Sequence, residues 1–126
     1  MAANYSTALK NARLDLVDDY VNAGAAAGYI EIGTSGMGTV LATITMSDPA
    51  FSAAAAGVLT ASGLPISDSS ADAAGTAAEA RIKDSDGNTV LSGLTVGTSG
   101  TDVVLTSATI EVGDVVTLSS ITITHG

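Results

Sequence analysis

Residues 78–91 read Ala-Glu-Ala-Arg-Ile-Lys-Asp-Ser-Asp-Gly-Asn-Thr-Val-Leu. Ala78, Ala80 and Ile82 alternate with Glu79, Arg81 and Lys83, which is the period of a strand with one buried face. Asp86-Gly87 follows, and Val90-Leu91 resume the apolar run. An Asp-Gly pair between two such runs signals a hairpin, because both residues adopt positive φ at low cost. Strand, turn and strand together commit this part of the chain to an antiparallel sheet.

The same period extends in both directions. Ile30 and Ile32 flank Glu31 in residues 29–33, and Val40, Ala42, Ile44 and Met46 alternate with Leu41, Thr43 and Thr45. Asp48-Pro49 breaks that run. Residues 57–61, 103–105 and 110–112 are short strand candidates. Residues 115–124 are a longer one, with Leu118, Ile121 and Ile123 among Ser and Thr. Gly113-Asp114 reads as a second hairpin turn. The alanines at 53–56 and the Ser/Ala/Asp/Gly-rich stretch 67–78 interrupt the pattern, and the second reads as a long loop. About eight short strands separated by turn signals predict a mainly β chain, an antiparallel, jelly-roll-like β-sandwich.

One segment has the other period. In residues 6–21, Leu9, Ala12, Leu16, Val17, Tyr20 and Val21 recur at helical spacing. Ser6 is a natural N-cap, and Gly24 a natural stop. Lys10, Asn11, Asp15, Asp18, Asp19 and Asn22 fall mostly on the other side, where the three aspartates read as neighbours on a solvated face. Lys10 and Arg13 precede Asp18 and Asp19, the wrong order for the helix dipole, so the helix needs packing to be stable. The organisation expected is a helical arm over residues 1–24 and a β-sandwich over residues 25–126. The small residues from Asn22 to Gly28 would let the arm reach a neighbour. Leu9, Leu16, Val17, Tyr20 and Val21 are the candidate partner-binding residues.

Composition narrows the function. Four Lys+Arg against thirteen Asp+Glu give a formal charge of −9 over 126 residues. That balance disfavours nucleic acid and anionic membrane as partners. The chain has no cysteine, so it holds neither disulfides nor thiolate metal sites. Charged residues are only 13% of the chain, with Ala, Gly, Ser, Thr and Val dominant, so much of the surface is small and uncharged. Such a surface suits packing against other molecules, other copies of the chain included, as a dimer or trimer. Residues 1–8 lack the basic start and apolar run of a secretory signal.

Chemistry is sparse. His125 is the single histidine, beside the C-terminus, without a second imidazole to build a triad or a zinc site. Asp84-Ser85-Asp86-Gly87-Asn88 resembles the start of a calcium loop, but its flanks read as strands and Thr95 stands where a bidentate Glu would be needed. The glycine-rich stretch 33–38 lacks the lysine of a phosphate loop. Tyr5, Tyr20, Tyr29 and Phe51 are too scattered for a sugar or base platform, which disfavours a carbohydrate-binding sandwich. The expectation is a protein that is not an enzyme, with no cofactor and no metal.

Four segments carry a resemblance: Leu9-Lys10-Asn11-Ala12-Arg13-Leu14-Asp15, Ser47-Asp48-Pro49-Ala50-Phe51, residues 81–90, and Ser119-Ser120-Ile121-Thr122-Ile123-Thr124-His125. They are similar to small structural proteins of tailed bacteriophages. The resemblance implies a virion component, a capsid cement or decoration protein made in the host cytoplasm. Its partners would be the major capsid protein and further copies of itself, as a homodimer or homotrimer. Another virion part, such as a tail or head-fibre protein contacting the host surface, is the alternative.

Overall fold

The computed structural model describes residues 6–22, 27–47, 50–63 and 65–124. The expected helix stop at Gly24, the break at Asp48-Pro49, and Tyr5 and His125 lie outside them. The chain is mainly β with one N-terminal helix, α1 (Thr7–Val21). The strands are β1 (Tyr29–Gly33), β2 (Val40–Thr45), β3 (Val58–Thr60), β4 (Ile66–Asp68), β5 (Gly75–Thr76), β6 (Glu79–Lys83), β7 (Thr89–Gly97), β8 (Val103–Leu105), β9 (Thr109–Ile110) and β10 (Val116–Thr124).

Eight strands form one curled sheet in the order β2-β1-β6-β7-β8-β10-β3, with β4 also on β10. Strand β10 holds the two halves together. One edge meets β8, and the other meets β4 over residues 116–118 and β3 over residues 122–124. The interval of three between Leu118 and Ile121 departs from strict alternation. A bulge sits there, and it turns both residues inward. The sheet curls until β4 lies beside β2. Asp68 accepts a hydrogen bond from Thr43 N at 3.1 Å, and Asp72 N donates to Leu41 O at 2.8 Å. A side chain thus covers the outer edge of β2 where a strand partner would otherwise be needed. Inside the curl, Ile30, Ile32, Leu41, Ile44, Leu59, Ile82, Leu105, Leu118 and Ile121 are fully buried.

Several expectations are corrected. The sheet is not wholly antiparallel: Val96 and Gly97 of β7 run parallel to Val103 and Val104 of β8. A parallel crossover normally takes a dozen residues. Here the contact is only two pairs long, and Asp102 holds the short loop closed by accepting from Thr95 N at 3.1 Å while its own N–H meets Thr95 Oγ1 at 3.0 Å. Residues 67–78 are not a bare loop, for they contain β5 and bury Ala71 and Ala77. Gly113-Asp114 does not join a strand at 110–112 to β10. Strand β9 pairs with β5, and the turn is held instead by Ala71 through two backbone bonds of 2.8 and 2.9 Å.

The hairpin from β6 to β7 forms as expected, with a different turn. Only Gly87 takes positive φ (89°), and Asp84 organises the five residues. Its Oδ1 accepts from Asp86 N at 3.0 Å and Asn88 N at 2.9 Å, while Oδ2 accepts from Asn88 Nδ2 at 3.2 Å. The would-be calcium ligand spends its oxygens on its own turn. These bonds, that from Asn88 N first, hold the Asp84 carboxyl below its ordinary range.

On the outer face, Glu31 of β1 lies directly opposite Arg81 of β6. Its Oε1 meets Arg81 Nε at 2.6 Å and Lys83 Nζ at 3.1 Å. Burial pushes the Glu31 carboxyl up, but the hydrogen bonds and charges of Arg81 and Lys83 together outweigh it and leave it lowered. A carboxyl lowered in the folded state stabilises the fold above its unfolded pKa of about 4.3 and loses that contribution as pH falls through the folded value. Glu31→Gln should therefore cost about 1–2 kcal/mol at neutral pH. The difference from the wild type should vanish in acid. Denaturant titrations of both proteins from neutral to acid pH check this, and a difference that persists unchanged in acid would contradict it.

Candidate functional site

Helix α1 begins where Ser6 Oγ accepts from Leu9 N at 3.2 Å. It ends at Asn22, whose N–H bonds back to Asp18 O at 3.0 Å. Between these caps its side chains divide into two stripes of identical spacing. Asn11, Asp15, Asp18 and Asn22 form one; Leu9, Arg13, Leu16 and Tyr20 form the other. The offset of two residues is about 200° around the helix, so the stripes lie on opposite sides.

The polar stripe faces inward, and this corrects its reading as the solvated face. Residues 50–62 fold into a tight hairpin around Ala56-Gly57, with φ of 53° and 75° and reciprocal bonds between Ala55 and Val58 of 2.9 and 3.0 Å. One arm of that hairpin is β3, which pairs with β10. The other arm has an edge of backbone N–H groups that no strand covers among the described residues. Helix α1 lies along it. Asn11 accepts from Gly57 N at 2.9 Å, Asp15 from Ala54 N at 2.8 Å, Asp18 from Phe51 N at 3.0 Å and Asn22 from Ala50 N at 3.2 Å. Asp18 Oδ1 also accepts from Asn22 Nδ2 at 2.9 Å, which fixes both side chains. The spacing of i, i+4, i+7 and i+11 follows the extended hairpin arm in the opposite direction, one acceptor to each N–H.

Leu14 and Val21 flank this stripe and are buried, with Val17 half-buried against the same core. Gly28 tightens the fit: a Cβ there would stand 2.5 Å from Val21 Cγ1 and 2.6 Å from Lys83 O. The five-residue face expected to meet a partner is thus split. Val21 and Val17 pack onto the helix's own sandwich. Leu9, Leu16 and Tyr20 remain 45%, 53% and 65% exposed, three of the five large apolar side chains the described residues expose. The other two, Val112 and Val115, flank the Gly113 turn. An open groove of about 220 Å³ runs beside the stripe, lined by Arg13, Leu16, Val17, Tyr20 and Val90 of β7. Phe51 is buried in the core.

The outward stripe is exposed along its length. It offers apolar area, one guanidinium and a helix clamped from behind. The acceptors on the inner side could have been found by noting that the acids and amides repeat at the same interval as the exposed apolar residues. No family model matches the chain, nor does any curated protein or solved structure.

The two stripes should respond differently to mutation. Asp18→Ala leaves Phe51 N and the Asn22 amide without their acceptor, and should cost about 1–3 kcal/mol of stability. Leu16→Ala should cost only a few tenths to about 1 kcal/mol, since the side chain is half in water already. Equilibrium unfolding of the two variants checks the ordering, and a larger loss at Leu16 would reverse the assignment of inner and outer faces.

Proposed function

We propose that the protein is a non-catalytic structural module that joins protein surfaces, with the Leu9–Leu16–Tyr20 side of α1 as its adhesive face. The observation that carries the reading is an apolar stripe held outward on a helix whose polar side chains are already used against its own fold. An ordinary amphipathic helix on a sandwich turns its apolar side in. Here the inward side combines four hydrogen bonds with buried Leu14 and Val21, and large apolar side chains are still left in water where a contact would bury them.

The setting that best suits such a module is a virion shell, in the role of a capsid cement protein on the major capsid protein. The four segments similar to phage structural proteins support it. So does the surface chemistry, acidic in sum yet low in charged residues, which suits dense packing of many copies. A cement protein stabilises the particle by mass action, because it binds the assembled lattice and not the free subunit. The test is to add purified protein to particles that lack it and measure occupancy and heat resistance. Leu16→Asp combined with Tyr20→Ala should keep the native melting transition and lower occupancy at least tenfold, through lost burial and an unpaired charge. Full occupancy by this folded variant would move the contact off α1.

A further inference from the structure

Between β1 and β2 the chain holds Met37 in a backbone conformation that disfavours any residue with a Cβ. Its φ is 57°, and Gly36 before it is at 70°, so two successive residues are left-handed. Glycine would take position 37 without strain, as it does position 36, and the rest of residues 34–39 is Gly, Ser and Thr. Such strain persists only where the surroundings over-determine it. Part of the restraint is backbone. Met37 N donates to Thr34 O at 2.8 Å, Thr34 N to Thr39 O at 3.0 Å, and Thr39 N to Thr34 Oγ1 at 3.1 Å.

The rest of the restraint is the thioether. It seats on Gly33, the last residue of β1: a Cβ there would stand 3.0 Å from both Sδ and Cε of Met37 and 2.8 Å from Thr39 O. Gly33 is buried, sits where the pairing of β1 with β2 shifts register, and accepts from Ala78 N at 3.0 Å. Glycine at 33 and methionine at 37 are thus matched, the one leaving the space that the other's sulfur fills. The sulfur is also within reach of solvent. Met37 is only half-buried, and Ser35, Gly36, Gly38 and Thr39 around it are exposed. Met46, by contrast, is 3% exposed and lies in the core.

We propose that Met37 is a site of oxidative modification by peroxides, and that its conversion to the sulfoxide releases the loop of residues 34–39. The step is a single oxygen transfer. A lone pair of Sδ attacks one oxygen of hydrogen peroxide, an S–O bond forms and the O–O bond breaks. The transferred oxygen gives its proton to the departing hydroxide, which leaves as water. Sulfur is oxidised by two electrons and the peroxide is reduced by two. The product is larger and polar, and it no longer favours the dry seat on Gly33. The backbone strain at Met37 is unchanged by the reaction, so the packing that offsets it is lost while the strain remains. Three hydrogen bonds are left to hold two left-handed residues, and the loop opens while the pairing of β1 with β6 stays intact.

The absence of cysteine leaves methionine as the main target for hydrogen peroxide in the full-length protein. Site-resolved mass mapping of the treated protein should find oxygen on Met37 at a rate at least tenfold above that on Met46. Hydrogen exchange at the amides of Thr34, Met37 and Thr39 should then accelerate at least tenfold, with the amides of β6 unchanged. Met37→Leu keeps an apolar side chain without the sulfur, so its loop should exchange slowly both before and after peroxide. Met37→Gln places a polar group on a chain of similar length and should exchange fast with no peroxide added. Oxidation of Met46 as fast as Met37 would overturn the assignment of the site. Oxidised Met37 with slow loop exchange would overturn the release, as would a Met37→Leu loop that peroxide opens as it does the wild type.

Discussion

The row of backbone N–H groups along residues 50–57 is the constraint on which the arrangement of the molecule turns. A hairpin arm with one edge paired and the other bare offers those donors to water or to another chain. The chain covers them with α1, and does so with side-chain oxygens at 11, 15, 18 and 22 in place of a further strand. A helix can follow an extended arm in this way because a stripe at intervals of three and four advances about 1.5 Å per residue, so four acceptors span roughly the length of a short strand. Once the polar side is committed inward, the apolar residues at 9, 16 and 20 have nowhere to go but out. The exposed apolar stripe is therefore a consequence of how the hairpin edge is satisfied.

The same economy recurs through the fold. Asp15, Asp18, Asp68, Asp84, Asp102 and Asp114 each accept at least one backbone N–H, six of the thirteen acidic residues. The acidity of the chain is thus in large part structural. Short aspartates close the seam between β2 and β4, the β6–β7 turn, the loop before β8 and the turn before β10. This reconciles a charge of −9 with so few charged residues overall. The acids are placed where loops and edges need acceptors, and little basic residue is present to pair them. Of the four cations, Arg81 and Lys83 are drawn to Glu31 on the outer sheet face, which leaves α1 with the other two.

Much of this was legible in the sequence where period and turn chemistry agreed. The alternation at 78–83 and Asp86-Gly87 gave the β6–β7 hairpin, Ile30 and Ile32 gave β1, and Ser6 gave the helix start. Reading failed where structure came from long-range acceptors. Residues 50–57 contain five alanines and no recognised hairpin turn, since Ala56 is an unusual residue at positive φ. What holds it is supplied by residues 28 to 46 positions earlier. Residues 67–78 likewise read as a loop, because β5 is two residues long and its partner lies beyond residue 108. The site was half legible. Helical spacing found Leu9, Leu16 and Tyr20, but it could not separate them from Val17 and Val21, because sorting two adjacent apolar arcs needs the position of the sandwich behind them.

A division of labour follows from the two-sided helix. Most surfaces that bind partners compromise between holding their own fold and presenting groups outward, because one apolar face must serve both. In α1 the two tasks fall on different chemistry. Directional hydrogen bonds accepted by Asn and Asp hold the helix in place, beside the burial of Leu14 and Val21. Each such bond contributes modestly, but leaving its donor buried and unpaired is costly, so the set resists displacement more than its net strength implies. The exposed stripe is then free to be apolar without the helix rolling over to bury it. Rolling by half a turn would strand four backbone donors and take two carboxylates away from their amides. The polar zipper thus selects the orientation, and the orientation is what makes Leu9, Leu16 and Tyr20 available to anything outside.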